Sequence, residues 1–322
     1  MDIKNAVPDV TQHCKLLRMK TDPQSIPVYF PRSEQLRGLV CMIVASLMFS
    51  LMNVCVYAIG LCEPQLPSAV VSFVRILINL LILLVPALLA GDLLTLFGDF
   101  RLSLWLRGLF GSLALMLSFA SIQMIGPGES AFLAASSGFF VALLGPWVLQ
   151  QKNSALVWLA ILGAMAGLAL LFEPRFDGGD FLGRAMALGT GFLAALAYLM
   201  VAKAGRSNTA KSVIFYFCLV GVAIHLVYFG NYGYRLPSSA DVWLLLLAGG
   251  VSASVAQLYM TIAYQSAPAA LVSAASYLSP VLSLAWGVVL FSRTPDAKAL
   301  TGCALVLIFG VMLPFLNAAG KK

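Results

Sequence analysis

The feature that most constrains this chain is a succession of ten apolar stretches, each close to the length of about 20 residues that a helix needs to cross a bilayer. They lie near 38–60, 67–90, 103–124, 128–149, 155–172, 182–203, 212–230, 242–264, 268–290 and 299–317. Turn-forming and charged residues separate them, at Glu63-Pro64, Gly91-Asp92, Gly126-Pro127, Lys152-Asn153, 173–180, 206–209, 230–241, Pro268 and 293–296. The stretches are apolar throughout and do not alternate, which excludes a β-barrel. Charged residues make up 10% of the chain, against about 25% in soluble domains. Ten of these charges fall in the first 37 residues. A soluble fold so poor in charge would expose large apolar patches and aggregate. Soluble enzymes, nucleic-acid binders and disulfide scaffolds are thereby excluded. The expected fold class is an all-α polytopic membrane protein with ten transmembrane helices.

Residues 1–37 hold Pro8, Pro23, Pro27 and Pro31 and little periodicity, and read as a mostly disordered, cytoplasmic N-terminal tail. This tail is not a cleavable signal, because the apolar run after it starts too late and is too long. Loop charges then orient the spans. With the N-terminus inside, 14 of the 20 Lys and Arg lie on the cytoplasmic side, Arg101 and Arg107 among them. Five lie outside (Arg175, Arg184, Arg235, Arg293 and Lys298), and Arg75 falls within a span. The net charge of +7 is thus mainly topology and calls for no nucleic-acid partner. Both termini are expected in the cytoplasm. The six cysteines show no metal or redox spacing, so no metal and no cofactor is expected.

A shift of 141 residues lays the second half of the chain on the first. Gly126-Pro127-Gly128 falls on Ala267-Pro268-Ala269, Ser136 on Tyr277 and Leu143 on Leu284. A shift of about 145 places the first span on the sixth. Five spans per half is an odd number, so the second half must cross in the opposite sense. The expectation is two inverted five-helix repeats, 38–172 and 182–317, with a site near the midplane between them.

Residues 107–111 (RGLFG) leading into 126–131 (GPGESA), Pro67 through Arg75, 244–250 with Gln257, Ala263-Tyr264, 267–272 (APAALV) and 277–281 (YLSPV) together resemble the EamA-type transporters of the drug/metabolite transporter superfamily. Residues 49–53 (FSLMN) are similar to a subgroup that includes S-adenosylmethionine carriers. The resemblance covers about residues 36–318. It implies a bacterial inner-membrane transporter of small molecules with no catalytic residues.

Polar residues in lipid are expensive and face protein or water. Ser46, Ser50, Asn53 and Tyr57 form one helical face, and Ser68, Ser72, Arg75 and Asn79 another. Gln257 and Tyr264 share a face, as do Glu129 and Ser136, and Ser266, Ser273 and Tyr277. The candidate substrate-binding set is Arg75, Tyr277, Asn53, Ser72, Asn79, Ser136, Gln257 and Tyr264. Glu129, Pro280 and His225 are candidates for gating or proton coupling. Arg75 has three readings: snorkelling, tying helices through carbonyls or Glu129, or binding an anionic group of the substrate. Glu129, in a first helical turn, can cap the helix, pair with Arg75 or carry a proton. His225 is a hydrogen-bonded core residue or a relay. Pro280 frees backbone carbonyls near Tyr277. The Gly163–Gly167 pair reads as helix packing away from the site.

With no P-loop sequence, the expected function is secondary transport of a small polar organic metabolite. Amino acids, amino-acid derivatives and nucleoside-like compounds such as S-adenosylmethionine are the candidate substrates. The scarcity of carboxylates in spans favours exchange or uniport. An intramembrane enzyme or a non-transporting scaffold is the alternative. The partners expected are the lipid bilayer and the metabolite, and the oligomeric state stays open, a monomer included.

Overall fold

The computed structural model describes residues 30–125, 127–172, 180–291 and 296–312. Most of the tail reading, 1–29, lies outside the described residues, as does the end of the last expected span. Among the described residues every regular element is helical, and nine helices are long and apolar enough to cross a membrane. They are α1 (Arg32–Cys62), α2 (Ser68–Leu89), α3 (Leu102–Ile125), α4 (Pro127–Ala134 and Ser137–Val148), α5 (Ala155–Phe172), α6 (Phe181–Ala204), α7 (Ala210–Tyr232), α8 (Ala240–Ser266) and α9 (Ala269–Ser276 and Leu278–Phe291). At the tenth position stands a shorter apolar helix, α10 (Ala297–Met312), whose last part, Val306–Met312, is π-helical.

The helix starts follow from local chemistry. Asp180, Thr209, Ser239 and Asp296 each accept a backbone N–H from three residues on, capping α6, α7, α8 and α10. Pro67 and Pro268 occupy the N-cap positions of α2 and α9. At the end of α7, Gly233 takes φ +75°, a left-handed turn that glycine adopts without a steric penalty.

Helix packing in lipid depends on close fit, and here it follows a regular scheme. The broadest contact of α1 is with α8, and that of α3 is with α6. The α3–α7 contact has its counterpart in α8–α2, and α4–α6 has its counterpart in α9–α1. Further pairs include α2–α7, α4–α9 and α5–α10. Exchanging each helix for the one five places away turns these pairs into one another, while slighter contacts such as α6–α8 and α5–α9 do not all follow the scheme.

The loops gather at two ends. At one end, Asp99 before α3 accepts hydrogen bonds from Ser207 Oγ (2.7 Å) and Asn208 Nδ2 (2.8 Å) before α7. There too, Arg206 donates to the Leu149 carbonyl (2.8 Å), and the Ala269 N–H donates to Gln151 Oε1 (3.0 Å). At the other end, the Ser238 hydroxyl and N–H donate to Glu63 (3.0 and 3.1 Å). Burial alone would push the Asp99 carboxyl up. The Ser207 and Asn208 hydrogen bonds, the Arg101 N–H and the Arg101 charge outweigh it and hold Asp99 below the usual carboxylate range.

Gly163 and Gly167 face α10. A Cβ on Gly163 would strike the Phe309 ring, and one on Gly167 would stand 2.7 Å from the Gly302 carbonyl. Gly167 thus brings backbone against backbone, and Gly163 makes room for the Phe309 ring.

Candidate functional site

Two of the long helices are interrupted. The first, α4, breaks at Ala135-Ser136, and the second, α9, breaks at Tyr277. These are the positions that the 141-residue shift superposes. In α9, Pro280 in the first turn after the break cannot donate a backbone hydrogen bond. The segment therefore restarts at Leu278 without loss. The breaks meet: Tyr277 Oη donates to the Ala135 carbonyl (2.8 Å). Gly138 makes room for the phenol, because a Cβ there would overlap its hydroxyl. Ser136 Oγ is buried against Gly191 of α6 with no hydrogen-bond partner among the described residues.

A polar chain leads away from this junction. Tyr264 of α8 shares a hydrogen bond with Ser273 of α9 (2.8 Å). Its ring stacks on Tyr198 of α6, with centroids 5.0 Å apart and planes within 14°. Two turns earlier in α8, Gln257 is buried with its Nε2 unpartnered among the described residues. Tyr198 in turn lies within electrostatic reach of two guanidinium groups, Arg75 of α2 and Arg107 of α3. Arg75 is half-buried, 5.9 Å from the centroid of the Phe49 ring. Arg107 is 3% exposed, lies 4.6 Å from the centroid of the Phe217 ring, and has a buried Nε with no partner among the described residues.

Arg107 corrects the sequence analysis, which set it on the cytoplasmic flank. It stands five residues inside α3, about 8 Å along the helix axis, and its side chain is buried. The signal was present in Leu102 through Leu106: an apolar turn before Arg107 already belongs to the helix. Phe217 was also missed as part of this cluster, since nothing in one sequence distinguishes it from an ordinary core aromatic.

The other candidates fall in three places. Ser72 and His225 meet in the α2–α7 contact: Ser72 Oγ and His225 Nε2 are 2.6 Å apart, and His225 Nδ1 lies 2.8 Å from the Gly221 carbonyl. That carbonyl can only accept, so Nδ1 carries a proton. Phe73 and Phe229 pack against the imidazole. Asn79 is buried further along α2. Asn53 is exposed, and its Nδ2 donates to Ser283 of α9 (3.2 Å). Glu129, at the start of α4, forms an ion pair with Arg184 of α6 through its Nε (2.7 Å). This overturns the reading that Glu129 pairs with Arg75. Pro280 is half-buried beside the junction. The structure thus brings Tyr277 and Ser136 together at the junction and Tyr264 against Ser273 of the same α9, and it sets Arg75 beside the Phe49 ring. It places Ser72 and His225 in a helix contact, and Asn53 on an exposed face. Among the described residues no group of three His, Cys, Asp or Glu converges as a metal site would need.

Comparison with known proteins bears on what such a site does. The pseudopaline exporter CntI of Pseudomonas aeruginosa is 26% identical over 276 residues, 86% of this chain and 95% of that protein. The riboflavin transporter of Vibrio cholerae is 27% identical over 283 residues, 86% of this chain and 92% of that protein. Solute carrier family 35 member G1 of Mus musculus is 25% identical over 221 residues, covering 65% of this chain and 60% of that protein. A solved crystal structure, 20% identical, superposes with a TM-score of 0.75 over 90% of this chain and 99% of that one, which shows the fold. The model of the EamA-like transporter family matches twice, over residues 36–173 and 181–315. This all-helical, multi-pass chain belongs to the EamA-like transporter family.

Proposed function

We propose that this protein is a secondary transporter moving a small polar organic metabolite across the bacterial inner membrane by alternating access. Amino acids, amino-acid derivatives and nucleoside-like compounds are the substrate candidates. Two five-helix halves, 38–172 and 182–317, are related by inversion, the tail at 1–37 is cytoplasmic, and both termini lie inside. The observation that carries this reading is the pair of interruptions in α4 and α9, at the two positions that superpose between halves and in direct contact through Tyr277 and Ala135. Discontinuous helices at a repeat interface are where carriers bind solute, because freed backbone groups can serve a ligand there.

Three further observations support it. The family model matches each half separately. The broadest helix contacts are preserved when the halves are exchanged. The Pseudomonas aeruginosa and Vibrio cholerae relatives are transporters. The α4–α6 ion pair of Glu129 and Arg184 and the Asp99–Asn208 link sit at opposite ends. They are the proposed gates on the two sides of the site. Arg75, Tyr277, Gln257, Tyr264 and Ser136 are the proposed substrate contacts, and Ser72 and His225 hold α2 to α7.

The test is uptake into proteoliposomes. Vesicles with and without the protein are incubated in a bacterial metabolite extract, and their contents are read by mass spectrometry. Enrichment of one or a few polar metabolites is expected. Identical contents in both vesicle types would contradict transport.

A further inference from the structure

We infer that Arg75 and Arg107 together form a binding site for a substrate bearing two separated negative charges, a di- or polycarboxylate in class. The inference rests on the transporter reading and narrows its substrate. Neither guanidinium has a hydrogen bond or ion pair among the described residues, where the three ion pairs all lie elsewhere. Arg107 is 3% exposed and its Nε is buried unpartnered. An arginine kept for structure in such a place would be expected to spend its donors on carbonyls or a carboxylate. Here each guanidinium instead lies beside an aromatic ring, Phe49 or Phe217. A ring can hold the flat face and leave the in-plane N–H fork open for a carboxylate.

Arg75 and Arg107 stand on the packed helices α2 and α3, and Tyr198 of α6 lies within electrostatic reach of both, so one ligand can engage the two guanidinium groups. Arg75 stands seven residues from the start of α2 and Arg107 five from the start of α3. These are depths of about 10 and 8 Å, measured from opposite ends of the bundle. The two Cα atoms thus stand at different levels of the bundle, and the ligand presents one negative group to each guanidinium. Tyr198, whose ring stacks on Tyr264, joins the charges to the polar chain that leads from the α4–α9 junction.

The test uses the full chain in nanodiscs of phosphatidylcholine, so that no anionic headgroup is present. Melting temperature is followed against succinate, glutarate, adipate and citrate, and against their amides. The carboxylates should stabilise the protein with a preference for one chain length, and the amides should not. Arg75→Met and Arg107→Met should each weaken binding by about 10- to 150-fold, the loss expected for one charge-assisted contact. Should Arg107→Met not fold, Arg107→Lys keeps the charge and loses the fork, and binding weaker than wild type is expected. No shift with any carboxylate, equal shifts with the amides, or wild-type affinity in both Arg107 variants would overturn the site. So would stabilisation that arises only in phosphatidylglycerol discs, which would make the ligand a lipid headgroup. Carboxylate binding without any exchange across proteoliposomes would sink the transporter reading and leave this site standing. Uptake of a neutral solute, unchanged in Arg107→Met, would do the reverse.

Discussion

The α4–α9 junction makes a quantitative prediction. Tyr277→Phe removes the donor to the Ala135 carbonyl, but that carbonyl keeps a second donor, the Gly138 N–H at 3.2 Å. No buried group is orphaned, so the cost is that of one interhelical hydrogen bond, about 0.5–1.5 kcal/mol. Tyr277→Ala also empties a buried ring's volume, at a cost of about 3–5 kcal/mol. Gly138→Ala attacks the same contact from α4, since the new Cβ would overlap the Tyr277 hydroxyl and stand 2.8 Å from its Cζ. Overpacking of that kind costs about 1–3 kcal/mol. Removing the hydroxyl makes room, so the pair Gly138→Ala/Tyr277→Phe should be less destabilised than the sum of the singles, by about 0.5 kcal/mol or more. The assay is unfolding of the purified protein in detergent, with transport measured on the same samples. Strict additivity would refute the contact, and equal stability losses for Tyr277→Phe and Tyr277→Ala would refute the packing role of the ring.

Other consequences follow from the same geometry. Glu129 and Arg184 are 12% and 21% exposed, so Glu129→Ala should cost about 1.5–3 kcal/mol; the charge-swapped pair Glu129→Arg/Arg184→Glu should recover part of it in a double-mutant cycle of melting temperatures. Gly302→Leu should destabilise the fold, because even a Cβ there would stand 2.6 Å from the Gly167 carbonyl; its melting temperature against wild type tests this, and an unchanged value would place α10 elsewhere. Asp99 is held below the usual carboxylate range, so its contribution to stability is present above that range and fades as pH falls through the folded value. Melting temperature between pH 3 and 6 should show this loss in wild type and not in Asp99→Asn.

Much of this architecture is legible in the sequence because a bilayer imposes a length on each helix, and the turn signals at Pro67, Pro268 and Asp296 mark where helices begin. The break in α9 is legible for a local reason, since Pro280 removes a donor next to Tyr277. The break in α4 has no proline to announce it, as Phe139 stands opposite Pro280, and only superposition on the second half points to Ser136. Partners distant in sequence are another matter. The Arg184 that neutralises Glu129 is 55 residues away, and Arg75, in a neighbouring helix, looked equally able to do so. Arg107 was hidden by the positive-inside rule itself. That rule sets charges near span ends on the flank, whereas a helix that starts five residues earlier carries this one inward.

The central claim is that the α4–α9 junction lies at a site reached from both sides of the membrane in turn. Ser136, buried at the break with an unpartnered hydroxyl, is the position to probe. A single cysteine at Ser136, with the six native cysteines replaced, would be treated with a membrane-impermeant thiol reagent in right-side-out and in inverted vesicles. The account predicts labelling from both sides, slowed on each by substrate. Labelling from one side only, whatever the solute present, would contradict alternating access.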